Sequence, residues 1–153
     1  MAQANPEHDA PLTARHHLEY AYRRSVGPVL GRFFAELRER RLVGIRTRAG
    51  KVLVPPAEYD SATGDATTDE FVAVGPGGVV KSWTWVTTPR AKQPLQHPFA
   101  YALIQLDGAD TPLLHAVDAQ SESRMRTGLR VRPRWRAETK GEMGDLACFE
   151  PEA

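Results

Sequence analysis

Residues 99–117 read FAYALIQLDGADTPLLHAV, and this stretch decides the fold class. An apolar run from Phe99 to Leu106 is followed by the turn pair Asp107-Gly108, and a second apolar run covers residues 113–117. Neither run is long enough for an ordinary helix, and both are rich in β-branched, aromatic and aliphatic side chains. Two short apolar runs separated by a Gly/Asp turn are the signature of consecutive strands.

Outward from that pair the same pattern repeats. Strands are expected over 70–74, 79–86, 129–138 and 146–149, with Gly75-Pro76-Gly77-Gly78 read as a hairpin turn between the first two. A Pro-containing loop covers 88–98, and a helical turn is expected within 120–126. Five or six short strands within about 80 residues, punctuated by Gly, Pro and Asp, favour a small barrel or sandwich. Before it, residues 45–47 and 51–54 read as two short strands around Arg48-Ala49-Gly50, ending at Pro55-Pro56, and 59–69 is turn-like.

The N-terminal part reads as helical. A first helix is expected from Thr13, with Leu18, Ala21 and Tyr22 on one face, broken at Gly27-Pro28. Pro28 suits the first turn of a second helix, in which Val29, Leu30, Phe33, Phe34 and Leu37 recur at three- and four-residue spacing. The expected organisation is therefore a disordered stretch over 1–12, helices over 13–43, a short β segment over 44–69 and the barrel over 70–151. The fold class is mainly β, of α+β type.

Composition narrows the function classes. Lys and Arg number 20 against 19 Asp and Glu, so net charge gives no nucleic-acid footprint, and a single-stranded nucleic-acid module ranks third among the readings. The one cysteine, Cys148, has no intrachain disulfide partner. No apolar run approaches the length of a membrane span, and residues 1–11 lack the apolar core of a signal peptide, so a cytoplasmic protein is expected.

No nucleophile elbow, zincin helix, Walker loop or dinucleotide fingerprint occurs in the sequence. Cys148, between Ala147 and Phe149, reads as a buried inert thiol, and His115, beside Leu114, as a barrel residue with its polar atoms satisfied. The most distinctive local feature is the alternation of Arg130, Arg132, Arg134 and Arg136 with Val131, Pro133 and Trp135. A two-residue period puts the four guanidinium groups on one strand face. They would meet coenzyme A phosphates or acidic residues of a partner, or stand as a solvated face balanced by Glu138, Glu142 and Asp145. Trp83 and Trp85 share one face of their strand, as barrel core or as an exposed contact. Phe33, Phe34 and Leu37 make a helix stripe wide enough to serve a partner as well as the core.

The order of these features resembles a known family. A helix ending in Leu42-Val43-Gly44 leads into a short hairpin and Val54-Pro55-Pro56. A five-stranded barrel follows, containing Leu106-Asp107-Gly108 and Gly128-Leu129-Arg130-Val131-Arg132. This is similar to the OB-fold family with an N-terminal, rubredoxin-like zinc ribbon, known as domain of unknown function thirty-five. In that family the ribbon carries C-x-x-C-G, then Pro-Pro, then C-x-x-C. Here Gly50, Pro55 and Pro56 keep the frame, while Arg46, Ala49, Tyr59 and Ala62 stand at the four cysteine positions. None is a zinc ligand of a thiolate site, so the ribbon is expected to be degenerate and metal-free, with either Tyr59 packing where the cluster stood or a partner surface covering the segment.

The resemblance implies a non-catalytic accessory subunit with no cofactor of its own. Family members associate with thiolase-superfamily or MaoC-type enzymes acting on acyl-CoA thioesters in steroid side-chain, fatty-acid and polyketide metabolism. It implies a hetero-oligomer, with Phe33, Phe34, Leu37 and Tyr59 as the expected partner interface. The arginine row with Trp83 and Trp85 is the expected place for contact with acyl-CoA or the partner. The alternative reading is a free-standing acyl-CoA-binding module using that row.

Overall fold

The computed structural model describes residues 13–22 and 25–152. The expected disorder over 1–12 lies outside the described residues. One α-helix, α1, spans Gly27–Arg38. Pro28 occupies its first turn, where a missing N–H costs nothing, and Gly27 enters it with φ +76°, a conformation that favours glycine.

The expected first helix is absent: residues 13–22 carry no helix or strand, and every one of them is exposed. An isolated helix of that length is marginal in water unless its apolar face is buried, and none of the described residues covers it. The helical part is thus shorter than the 13–43 anticipated from periodicity.

Strands β1 (Val43–Arg46), β2 (Val52–Leu53) and β3 (Phe71–Ala73) form a three-stranded antiparallel sheet in the order β2-β1-β3. The remaining five, β4 (Gly78–Val86), β5 (Phe99–Leu106), β6 (Leu113–Val117), β7 (Arg130–Trp135) and β8 (Leu146–Pro151), close into a barrel in the order β4-β5-β6-β8-β7. The expected five-stranded barrel is present, and the helical turn anticipated within 120–126 is a 3₁₀ turn at Glu122–Arg124. The segment at 70–74 belongs elsewhere than expected. It pairs with β1 rather than with β4, so Gly75–Gly78 joins two sheets and is not a hairpin turn. The Gly75 N–H donates to the Asp107 carbonyl at 2.8 Å and the Asp107 N–H to the Gly77 carbonyl at 3.0 Å, which seats this connection on the β5–β6 turn.

Two bulges decide which side chains face inward. Val80 pairs with Ile104 and Ser82 with Leu103, leaving Lys81 as an extra residue in β4. Val80 points into the barrel before the bulge, and Trp83 and Trp85 turn to the core after it. Both tryptophans are half-buried against that core. The second bulge lies in β8, where Ala147 is the extra residue between Leu146, paired with Trp135, and Cys148, paired with Arg134.

A single hydrophobic cluster runs from α1 through the small sheet into the barrel. It joins Phe33 and Leu37 to Val43, Val52 and Val74, and these to Ile104, Val131 and Phe149. Phe33 and Leu37 are 0% exposed. Burying each contributes roughly 1.5–3 kcal/mol. A smaller cluster of Leu95, Phe99, Ala116 and Cys148 lies on the barrel's outer side beneath the 88–98 loop, where Tyr101 meets Phe99 edge-on at 4.9 Å.

The helix is also tied to the barrel by polar contacts. The Arg38 guanidinium donates to the Lys140 carbonyl at 2.7 Å, and the Thr139 hydroxyl to the Arg38 carbonyl at 2.8 Å. Asp145, buried in the same loop, accepts from the Lys140, Gly141 and Glu142 amides. Burial alone would raise its pKa, but these three amides, helped by Arg38, hold the carboxyl below its ordinary value.

The tightest approach is at Gly44 in β1. A Cβ there would stand 2.5 Å from Val52 Cγ1, 2.8 Å from the Leu53 carbonyl oxygen and 3.0 Å from Val54 Cγ2. Because one of these atoms is backbone, the sheet must open to accept a side chain. Gly44→Ala should lower stability by about 2–3 kcal/mol, read as a reduced urea midpoint with an unchanged slope.

Candidate functional site

The segment expected to be a degenerate ribbon contains two hydrogen-bonded turns. In the first, the Gly50 N–H donates to the Thr47 carbonyl at 3.0 Å and the Thr47 N–H to the Lys51 carbonyl at 2.7 Å. The buried Thr47 hydroxyl accepts from the Lys51 amide at 3.1 Å. In the second, the Asp60 carbonyl accepts from Gly64 at 2.7 Å, and the buried Asp60 carboxylate accepts from the Ala62 amide at 2.9 Å. Two short polar side chains therefore satisfy turn amides that would otherwise be orphaned in a partly dry setting.

The four expected ligand positions do not fill a common core. Ala49, Tyr59 and Ala62 are exposed, and Arg46 pairs with Glu70 at 3.0 Å. Tyr59 is 61% exposed, so the expectation that it packs where a cluster stood is corrected. Its phenol leans out because the segment before it is pinned from the other side: Thr67 donates its hydroxyl to Ala57 O at 2.8 Å and its amide to Glu58 O at 2.9 Å.

Tyr59 instead forms one wall of a groove of about 370 Å³, facing Val26, Val29 and Leu30 at the start of α1 with Pro56 at its base. Val26 is 49% exposed. The groove is the place where the helix and the ribbon jointly present apolar surface. Of the expected interface residues it keeps only Tyr59. Phe33 and Leu37 are fully buried in the core and unavailable, and Phe34 is half-buried with its ring 6.0 Å from Phe33. The sequence stripe was wider than one contact needs because α1 packs on both the small sheet and the barrel.

The arginine row is present but occupied. Arg130 makes a two-pronged contact with Asp107 at 2.7 and 2.8 Å and reaches Glu152 at 3.3 Å. Arg132 pairs with Glu150 at 2.9 Å, and Arg134 with Asp118 at 2.9 Å and Glu150 at 3.5 Å. Three guanidinium groups thus meet four carboxylates, which leaves no net positive charge for a phosphate. The hydrogen bonds from Arg130 hold the Asp107 carboxyl below its ordinary pKa. Burial would raise that of Asp118, but Arg134 and the nearby His97 outweigh it and hold it down.

The balancing residues are these four, not Glu138, Glu142 and Asp145 as anticipated. Glu150 on β8 and Glu152 just past its end keep the same two-residue period as the arginines on β7, a signal visible in the sequence once those strands are paired. Arg136 stands apart, one residue past the end of β7, with no ion-pair partner among the described residues.

Cys148 is fully buried, and burial pushes its thiol up to about 11 against the opposing pull of Arg134, so it stays protonated and unreactive. His115 faces the barrel interior, its ring 5.7 Å from that of Phe149. Contrary to expectation it is not fully satisfied: Nδ1 is buried with no hydrogen-bond partner. Among the described residues no three His, Cys, Asp or Glu side chains gather as metal ligands, and no helix is long and apolar enough to cross a membrane.

Two measurements follow from this geometry. Chelator treatment should leave the melting temperature unchanged, and elemental analysis should find no stoichiometric zinc, because hydrogen bonds from Thr47 and Asp60 hold the turns. Burial lowers the pKa of His115 and a backbone contact at Ala116 opposes this only in part, so the unfolded chain protonates first. Stability should therefore be full above about pH 6.5 and fall as pH drops below it, and urea midpoints of His115→Leu should show a shallower acid loss.

Comparison with known proteins agrees with this architecture. Residues 71–136 match the family model described as ChsH2, C-terminal OB-fold domain. An Ltp2-ChsH2(DUF35) aldolase structure superposes with a TM-score of 0.60 at 20% identity, covering 84% of this chain and 98% of that one. A DUF35-family protein of unknown function from Sulfolobus solfataricus gives 0.61 at 18% identity, covering 83% and 85%. No curated protein sequence matches the chain. Residues 71–136 thus resemble the ChsH2 C-terminal OB-fold domain, and the chain shares its fold with these two DUF35 structures.

Proposed function

We propose that this protein is a non-catalytic accessory subunit of a thiolase-superfamily enzyme that works on acyl-CoA thioesters. The observation that carries the reading is the agreement in fold, over nearly the whole of that chain, with the DUF35 protein of an Ltp2-ChsH2 aldolase. Support comes from the surface itself. The groove between α1 and the ribbon exposes Val26 and Tyr59 over an apolar base, which suits a protein partner better than water. The hydrogen-bonded turns around Thr47 and Asp60 hold that groove in shape without a partner, so docking needs little reordering.

A MaoC-type hydratase partner, and a place in steroid side-chain, fatty-acid or polyketide metabolism, belong to the same proposal at a finer level. The free-standing acyl-CoA binder is weakened by the carboxylates that already occupy Arg130, Arg132 and Arg134. The same neutralisation weakens the nucleic-acid reading, since counterion release requires uncompensated cations.

Co-expression with thiolase-superfamily proteins encoded beside it is the test. The expected result is a co-purifying complex whose acyl-CoA activity depends on this subunit, with Tyr59→Asp and Val26→Asp each weakening the complex at least tenfold. A chain that retains no thiolase-superfamily or hydratase partner, and on which no such activity depends, would sink the proposal.

A further inference from the structure

The small sheet has one edge that no strand covers among the described residues. β3 pairs with β1 alone, in the register Val43–Ala73, Gly44–Val72 and Ile45–Phe71. The Val74 N–H donates to the Leu42 carbonyl at 3.0 Å, and the Arg46 N–H to the Glu70 carbonyl at 2.9 Å. Backbone groups alternate along a strand, so residues 70, 72 and 74 face β1, while the N–H and C=O of Phe71 and Ala73 point the other way. Among the described residues no hydrogen bond reaches those outward groups. Ala73 is exposed and Phe71 half-buried, so the edge is open to solvent. A row of free backbone groups of this kind is a template for an added strand.

The surroundings of the edge are apolar and positively charged. A cleft of about 490 Å³ lies beside Ala73, lined by Val43, Val74 and Trp135, with Glu36 and Arg40 on the helix side. Along the same flank of α1, Arg41 is neutralised by Glu36 at 2.7 Å. Arg40 donates to the Ala137 carbonyl at 2.9 Å, which occupies its guanidinium. Arg32 is exposed and lies over the Phe71 ring, 4.7 Å from its centroid, with no carboxylate partner among the described residues. One outward-facing residue of the edge thus stands under an unpaired cation, and the other stands beside an apolar slot.

These two environments dictate what the edge can take. Residues directly opposite each other in an antiparallel pair share a face. A residue opposite Phe71 therefore comes up beside the Arg32 guanidinium, which favours a carboxylate. The residue opposite Ala73, two positions earlier in the added strand, faces Val43 and Trp135 across the cleft, which favours an aliphatic side chain. We propose that the free edge of β3 receives an extended segment of a partner protein as a fourth strand, with an aliphatic residue followed two positions later by an acid.

Charge argues against a second copy of this chain as the occupant. Pairing β3 with its own copy would bring two Arg32 groups to one short edge, while the nearby Glu70 is already paired with Arg46 at 3.0 Å. The edge is a different surface from the groove beside Tyr59, and its chemistry does not depend on which enzyme the subunit serves.

The probe is the capped peptide TTLTETT, titrated onto the full chain and followed by amide chemical shifts. TTLETTT, of identical composition but with Leu and Glu on opposite faces, is the control, and TTLTKTT carries the reversed charge. The Phe71 and Ala73 amides should shift with TTLTETT, and the other two peptides should bind at least tenfold more weakly. Ala73→Pro removes only an outward-facing N–H, where an edge strand tolerates proline, so the melting temperature should hold while binding is lost. Arg32→Glu, at an exposed helix position, should reverse the preference in favour of TTLTKTT. No binding, shifts that miss residues 71 and 73, equal binding of TTLTETT and TTLETTT, or an unreversed preference in Arg32→Glu would each overturn the proposal. Concentration-dependent shifts at the same amides in the free chain would also overturn it, by giving the edge to a second copy. Because the peptide is read on the free chain, its failure leaves a co-purified enzyme complex standing, and loss of that complex leaves the peptide result standing.

Discussion

The structure depends on one continuous apolar contact, the insertion of Phe33 and Leu37 from α1 between the small sheet and the barrel. Without it β1–β3 would be three strands of two to four residues, too short to persist in water on their own. The helix is held there at its far end by Arg38, Thr139 and the buried Asp145 turn. Ribbon and barrel consequently share a core, and the groove beside Tyr59 is a fixed surface rather than a loose loop.

The same arrangement accounts for how the segment over 44–69 holds its shape. Each of its two turns is closed within itself, by the Thr47 hydroxyl in one and the Asp60 carboxylate in the other. The sheet's outer strand is also fastened to the barrel, since the Val52 and Val54 amides donate to Asp110 and Thr111 side chains at 2.7 Å. Cross-linking by side-chain hydrogen bonds is weaker per contact than a metal, at about 1 kcal/mol each, but several act together on a sheet already packed against the helix.

The barrel and its strand order of appearance were legible because 99–117 and its neighbours carry clean short apolar runs and turn pairs. The single helix was legible from the spacing of Val29, Phe33 and Leu37. A helix over 13–22 was over-read, since Leu18 and Tyr22 fit a four-residue period while Leu18, Tyr20 and Tyr22 equally fit a two-residue one, and no packing surface arbitrates in favour of helix. Strand 71–73 was assigned to the wrong sheet because periodicity reports that a segment is extended and is silent about its partner. The same silence hid the carboxylates facing the arginine row. Arg136 falls outside the row because β7 ends at Trp135, and periodicity does not mark where a strand stops.

The Tyr59 groove and the neutralised arginine row make opposite claims on where a partner enzyme would sit. Hydrogen exchange on the co-purified complex, compared with the free chain, decides between them most directly. New protection is expected at residues 26–30 and 56–59, with the amides of β7 unchanged. Protection confined to β7 and β8, with the helix–ribbon groove still exchanging freely, would contradict the assignment of that groove as the docking surface.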